Sequence, residues 1–246
     1  MPHLQKITTS AKEIGAVNTI MVDDSGDERV LTGDNTDWIG IYEPIKRYLR
    51  SDEGGVALIL GAGGTARAAA YAAKKLNLLP IYYNRTPAKA QQLVLSFGGI
   101  LLSEISEESL ESIVKEHGKI QAVISTLPAA AEFEFEDWFF TETLKGNSSK
   151  PVVLDVNYKP YNTPLLIQCQ AKGCRIVRGS EMLWEQGVQQ FERWVERRAP
   201  YKIMKDVVLK NCFPKVEDGD ESENDAADVQ THEIVVGKST NAAQTA

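Results

Sequence analysis

The residues most ready for chemistry lie at 56–66, where the apolar run Val56-Ala57-Leu58-Ile59-Leu60 stops at Gly61-Ala62-Gly63-Gly64-Thr65-Ala66. The run reads as a buried parallel strand. The segment that follows, Arg67 to Leu76, is rich in helix formers, so the backbone N–H groups of its first turn should point at whatever lies over the glycines. A pyrophosphate fits such a turn: Gly61 permits the tight bend, Gly63 lets the backbone approach a phosphate, and Ala66 allows the helix to pack on the strand. Ala62, Gly64 and Thr65 complete the turn. A second strand-like run, Leu79 to Tyr83, ends at Asn84-Arg85-Thr86, at the distance where a dinucleotide site reads the ribose. An acidic residue there would accept from a 2′-hydroxyl. Arg85, flanked by Asn84 and Thr86, instead offers a planar fork of donors to a 2′-phosphate, so the expected cofactor is NADP.

A second group of polar residues sits in turns nearer the start: Gly15-Ala16-Val17-Asn18-Thr19 and Asp34-Asn35-Thr36-Asp37. Asn18 and Asp37 could hold a polar substrate. On local grounds Thr36 or Asp37 could equally cap the helix that follows.

The elements that must position these residues alternate. Residues 4 to 14 are a short polar helix candidate, Gly15 to Val22 reads as turn then strand, 23–28 as a hairpin-like loop, Arg29 to Thr32 as a strand, and Trp38 to Leu49 as a helix. After the glycine turn come a helix from Pro87 to Phe97, a short strand at Ile100 to Leu102 and a helix from Ser106 to His117. Strands then fall at Ala122 to Thr126, Val152 to Val156 and Arg175 to Val177. A helix from Thr163 to Ala171 separates the last two, and helices near 181–197 and 201–209 follow. This pattern predicts an α/β fold with a doubly wound parallel sheet and right-handed crossovers. The loop after Ser125-Thr126 should open on the cofactor side.

Composition excludes several classes. With 246 residues, 43% hydrophobic and 8% aromatic, the chain can bury a sizeable core. No run reaches membrane-spanning length and no secretory pattern is visible, so a cytoplasmic location is expected. Cys169, Cys174 and Cys212 lack metal-ligand spacing, and His3, His117 and His232 lie far from them, which argues against a disulfide framework and a metal site. The net charge of −7 is concentrated between Glu217 and Asp228, so residues from about 214 onward are expected to be a disordered acidic tail. No basic stripe or base-reading motif suggests nucleic acid.

Taken together, the motifs resemble the shikimate dehydrogenase family over roughly residues 1 to 210. They occur in the family's order: Ile14 to Thr19; Asn35-Thr36-Asp37 with Gly40; Gly61 to Gly64; Asn84-Arg85-Thr86; Tyr158 and Pro160 with Thr163-Pro164-Leu165; and Gly179, Met182-Leu183 and Gln186-Gly187 before Gln190-Phe191-Glu192 and Trp194. The carboxyl-terminal pattern is most similar to the shikimate dehydrogenase unit of the fungal pentafunctional aromatic-biosynthesis polypeptide. The resemblance implies NADP-dependent interconversion of 3-dehydroshikimate and shikimate. It makes Asp37 half of a Lys/Asp catalytic pair and assigns substrate hydroxyls to Asn18 and Gln186. Tyr158 would lie near the substrate, Gly179 and Met182 would face the nicotinamide, and Ser125 and Thr126 would border the cofactor. Other shikimate-pathway domains are the implied partners, with no nucleic acid or membrane.

One departure stands out. The family's Ser-x-Ser motif and catalytic lysine precede the Gly15 turn, and only fourteen residues do so here. Leu4 stands where a lysine would follow Pro2-His3, and Lys6 and Lys12 match no motif. The expected organisation is therefore a remnant of a substrate domain (1–37), an NADP-binding Rossmann domain with carboxyl-terminal helices (38–212) and the acidic tail (213–246). A non-catalytic relative such as a quinate-pathway repressor, or a quinate dehydrogenase, stays open as an alternative.

Overall fold

In the computed structural model, residues 3–49, 54–140 and 150–214 are described, and the span Met1–Phe213 forms one compact unit. The expected acidic tail lies outside the described residues.

The chain opens with β1 (Lys6–Ile7), α1 (Thr9–Ile14), β2 (Thr19–Asp23) and β3 (Val30–Asp34). These strands form a small sheet in the order β1-β3-β2, with β1 parallel and β2 antiparallel to β3. The helix expected over 4–14 is thus shorter. Lys6 and Ile7 pair with Thr32 and Gly33, and Thr8 then caps α1 by accepting from the Ala11 N–H. Strand β3 also runs past Thr32 through Gly33. A Cβ on Gly33 would lie 2.6 Å from Leu4 Cδ1 and 2.9 Å from a Val17 methyl, so glycine there lets these two side chains pack against the strand.

After α2 (Asp37–Lys46), the main layer begins at β4 (Gly55–Leu60). It continues through α3 (Gly64–Lys75), β5 (Leu78–Tyr83), α4 (Pro87–Phe97), β6 (Ile100–Leu102), α5 (Glu107–His117), β7 (Ile120–Ser125), β8 (Val152–Asp155), α6 (Pro164–Ala171) and β9 (Arg175–Val177). Helices α7 (Gly179–Val195) and α8 (Tyr201–Cys212) complete the unit. All six strands of the large sheet are parallel, in the order β6-β5-β4-β7-β8-β9. The strand order reverses between β4 and β7, and a doubly wound sheet opens a crevice at the carboxyl ends of those two strands.

Both faces of β4 are buried, which explains its unbroken apolar run. Ala57 and Ile59 face a core shared with α2, α3 and α4, including Ile41, Ala69, Tyr82 and Leu93. Val56, Leu58 and Leu60 face the opposite core with Leu110, Phe139 and Leu166. Helix α3 buries Ala66, Ala68, Ala69, Ala70, Tyr71, Ala72 and Ala73, and these small side chains let it lie close to the sheet.

Candidate active site

The glycine turn between β4 and α3 sits at the switch point. Gly61 has φ +105, and a Cβ there would lie 2.5 Å from Thr126 Oγ1, so only glycine fits. The turn is fastened on both flanks. Gly61 N–H donates to the Tyr83 carbonyl at 2.8 Å, while Thr126 donates its N–H and hydroxyl to the Leu60 carbonyl at 2.8 and 2.9 Å. At Gly63 and Gly64, by contrast, a Cβ would meet nothing within 4 Å. Gly63 is the N-cap of α3 and no side chain caps that end. An open face over uncapped N–H groups is what an anion requires. Residues Gly61 to Thr65 therefore fit a dinucleotide pyrophosphate.

At the end of β5, Asn84 Nδ2 donates to the Thr86 carbonyl at 2.8 Å, shaping the turn that presents the exposed Arg85. Ser125 is buried, and its side chain bonds the Asp155 carboxylate. Of the expected pair at this strand end, Thr126 thus lines the glycine turn and Ser125 supports the neighbouring strand.

Asn18, Thr36, Asp37 and Gln186 meet although they come from a turn, a strand-to-helix junction and α7. Asn18 Nδ2 lies 2.7 Å from Asp37 Oδ1, 3.1 Å from Thr36 Oγ1 and 3.4 Å from Gln186 Oε1. Asn18 Oδ1 accepts from the Thr36 N–H at 2.9 Å and from Thr19 Oγ1 at 2.7 Å. The Thr36 hydroxyl lies 3.1 Å from Gln186 Oε1. Asp37 is the first residue of α2, and its N–H donates to Asn35 Oδ1. Thr36 takes the N-cap position of α2 without a side-chain capping bond, so neither Thr36 nor Asp37 caps the helix through its side chain. Burial raises the Asp37 pKa above the usual carboxylate range, outweighing the Asn18 hydrogen bond that lowers it. Among the described residues no lysine bonds Asp37.

Gly40 and Met182 mark where α2 crosses α7. A Cβ on Gly40 would lie 2.6 Å from the Met182 carbonyl and 3.1 Å from Gln186 Cβ, so glycine at 40 brings Gln186 within reach of Thr36 and Asn18. Met182 is buried at this crossing. Gly179, at the start of α7, leaves no room for a Cβ, which would run into the Asn157 carbonyl. Tyr158 is 44% exposed on the loop after β8, and among the described residues no hydrogen bond ties it to Asn18 or Asp37.

Sequence reading named Asp34, Thr163, Gln190 and Trp194 without their bracing role, and missed Arg193 and Asp155. Asp34, only three residues before Asp37, is buried and bonds Thr8, Ser10, the Asn35 N–H and Arg193 of α7. Burial alone would raise its pKa, but those donors hold it below the usual range. Gln190 Nε2 donates to Thr19 Oγ1 at 3.1 Å and Trp194 Nε1 to the Ile20 carbonyl at 3.0 Å, so α7 clasps the start of β2. Asp155 accepts from the Asn157 N–H at 3.0 Å and from Thr163 Oγ1 at 2.9 Å, bracing the loop that carries Tyr158. A lone Asp in the apolar run Val152 to Val156 was the available signal. For Arg193 there was none beyond a charge on an amphipathic helix.

Comparison with known proteins points to the same resemblance. Residues 179–209 match the Shikimate 5'-dehydrogenase C-terminal domain, the stretch that carries Gly179, Met182 and Gln186. The pentafunctional AROM polypeptide of Komagataella phaffii is 36% identical over 200 residues, covering 79% of this chain and 12% of its own length. The chain resembles the shikimate dehydrogenase unit of these polypeptides over most of its length. Among solved structures, the dehydroquinate dehydratase and shikimate dehydrogenase from S. pombe AroM is 31% identical at a TM-score of 0.70, covering 85% of this chain and 40% of that one. Shikimate 5-dehydrogenase from Thermus thermophilus, in complex with NADP(H) and shikimate, is 27% identical at a TM-score of 0.64, covering 86% and 74%. The chain spans 12% to 14% of the length of the curated relatives it matches.

Proposed function

We propose that this chain forms the cofactor-binding and Asp37-bearing part of an NADP-dependent shikimate dehydrogenase, which interconverts 3-dehydroshikimate and shikimate. The observation that carries the reading is the convergence of Asn18, Asp37 and Gln186 beside a fold whose α3 N-terminus is open to an anion. The Thermus relative holds NADP(H) and shikimate.

NADP(H), when bound, exchanges a hydride with the substrate carbon. The rest falls to the chain. The backbone of Gly61 to Thr65 would hold the pyrophosphate and Arg85 with Asn84 and Thr86 the 2′-phosphate, Ser125 and Thr126 would border the cofactor, and Gly179 and Met182 would face the nicotinamide. Asn18 and Gln186 bind substrate hydroxyls, and Tyr158, on the loop after β8, lies near the substrate. Asn18 occupies Asp37 Oδ1 and leaves Oδ2 to a substrate hydroxyl. An elevated pKa suits Asp37 to taking a proton there, since a base is most effective when its pKa lies near the working pH.

Titration with NADP⁺ and NAD⁺ tests the cofactor reading. NADP⁺ should bind at least about tenfold more tightly, or about 1.4 kcal/mol, and Arg85→Ala should erase the difference. Equal affinities in the unaltered chain would refute it.

A further inference from the structure

Helix α3 reaches from the glycine turn to the Gly15 turn, which leads to Asn18, and to Trp38, which follows Asp37. Arg67, in its first full turn, is half-buried, and its Nε donates to the Ile14 carbonyl, the last residue of α1. Carbonyls at a helix end lack partners within the helix, so this one is satisfied from α3. The next residue, Gly15, is left-handed at φ +73, and a Cβ on it would lie 2.6 Å from Arg67 Nη2. The guanidinium therefore lies flush on the turn that leads to Asn18. Phe97 of α4 lies 5.2 Å from the guanidinium carbon and holds it in place. One helical turn further on the same face, the Tyr71 ring meets Trp38 edge-on at 5.2 Å, beside Asp37.

We infer that Arg67 is a positioning residue that couples occupation of the α3 N-terminus to the placement of Asn18. The inference rests on the cofactor reading above. An anion seated on the first N–H groups pulls on a rod whose flank is mostly alanine. Arg67 passes the resulting displacement to Ile14 and Gly15, and Tyr71 passes it to Trp38. The same residue explains why the Gly15 turn needs glycine twice over, for its φ and for the space the guanidinium fills. Thermodynamic reciprocity then requires that ordering of the Asn18 turn tighten the dinucleotide site in return.

Hydrogen–deuterium exchange on the full chain, with and without saturating NADP⁺, tests this on two segments, 62–66 and 15–19. In the unaltered protein NADP⁺ should slow exchange in both, by about fivefold at 15–19. In Arg67→Met, which keeps the bulk and loses the donor, slowing at 62–66 should persist while slowing at 15–19 disappears. Arg67→Lys, which keeps a donor without the planar fork, should retain part of it. A merely structural role would raise exchange at 15–19 with and without ligand and leave the NADP⁺-dependent ratio intact, which would overturn the inference. Slowing at both segments in Arg67→Met would overturn it while sparing the cofactor reading. Absence of slowing at 62–66 in the unaltered protein would overturn both.

Discussion

The two ends of the site are constructed from different materials. The Gly61 to Ala66 turn is a contiguous piece of backbone, fastened by Tyr83, Leu60 and Thr126, and its functional surface at Gly63 and Gly64 is bare. The Asn18, Thr36, Asp37 and Gln186 cluster is made of side chains from separate elements, and every member leans on another. A backbone site depends on a few φ angles and on free space. A side-chain network depends on distant packing, here on Asp34 and Arg193 beneath it and on Gly40 at the helix crossing. The two carboxylates of β3 and α2 show the same division. Donors on four sides lower the Asp34 pKa and make it a brace, whereas burial with a single side-chain donor raises that of Asp37.

The comparison breaks most severely at Asp34. Asp34→Asn removes a buried charge while Arg193 remains, and breaking a buried pair costs about 3–5 kcal/mol. Because the Arg193 side chain keeps 25% exposure, the lower end of that range is expected in urea unfolding. The pH dependence has a definite sign. The folded pKa lies below the unfolded one, so the stabilisation is complete above the unfolded value and disappears as pH falls through the folded value. The variant should lose that acid branch of the stability profile.

Next come paired glycine variants. Gly61→Ala places a Cβ against Thr126 in a left-handed conformation and should lower stability by about 1–3 kcal/mol as well as abolish cofactor binding. Gly63→Ala adds a methyl group in open space and should leave the unfolding midpoint within the scatter of about 0.5 kcal/mol seen for surface changes. Its NADP⁺ affinity should still fall, because the methyl group occupies the phosphate approach. If both variants unfold alike, the division between frame and open surface fails.

The smallest effect on stability is expected at Asp37. Its folded pKa is raised, so above that value the fold carries a penalty for ionising it. Asp37→Asn should be as stable as the unaltered protein at neutral pH or slightly more so, as a thermal melt would read.

The same contrast separates what is legible in the sequence from what is not. Val56 to Ala66 announces strand, turn and helix within a dozen residues, because each local preference there agrees with the fold. The parallel sheet and its alternation follow for the same reason. Asn18, Asp37 and Gln186 are found through motifs, since nothing local says that a residue of α7 lies 3.4 Å from a residue in the Gly15 turn. The Arg193 to Asp34 pair and the Arg67 contact stay hidden because a charge on a helix face is ordinarily solvated. Strand β1 escapes because two residues carry no periodicity and depend entirely on β3 for their hydrogen bonds.

Whether Asp37 is the reacting carboxylate of an NADP-dependent shikimate dehydrogenase is tested most directly by NADPH formation from NADP⁺ and shikimate. The comparison is between this chain, the chain joined to a shikimate dehydrogenase amino-terminal segment bearing the family's lysine, and the joined form with Asp37→Asn. With no lysine bonded to Asp37 among the described residues, the chain alone should turn over slowly, and joining should raise the rate. Asp37→Asn should then lower it by about 10²–10⁴, the usual worth of general acid–base help. A joined form that stays inactive, or one whose rate survives Asp37→Asn, would contradict the account.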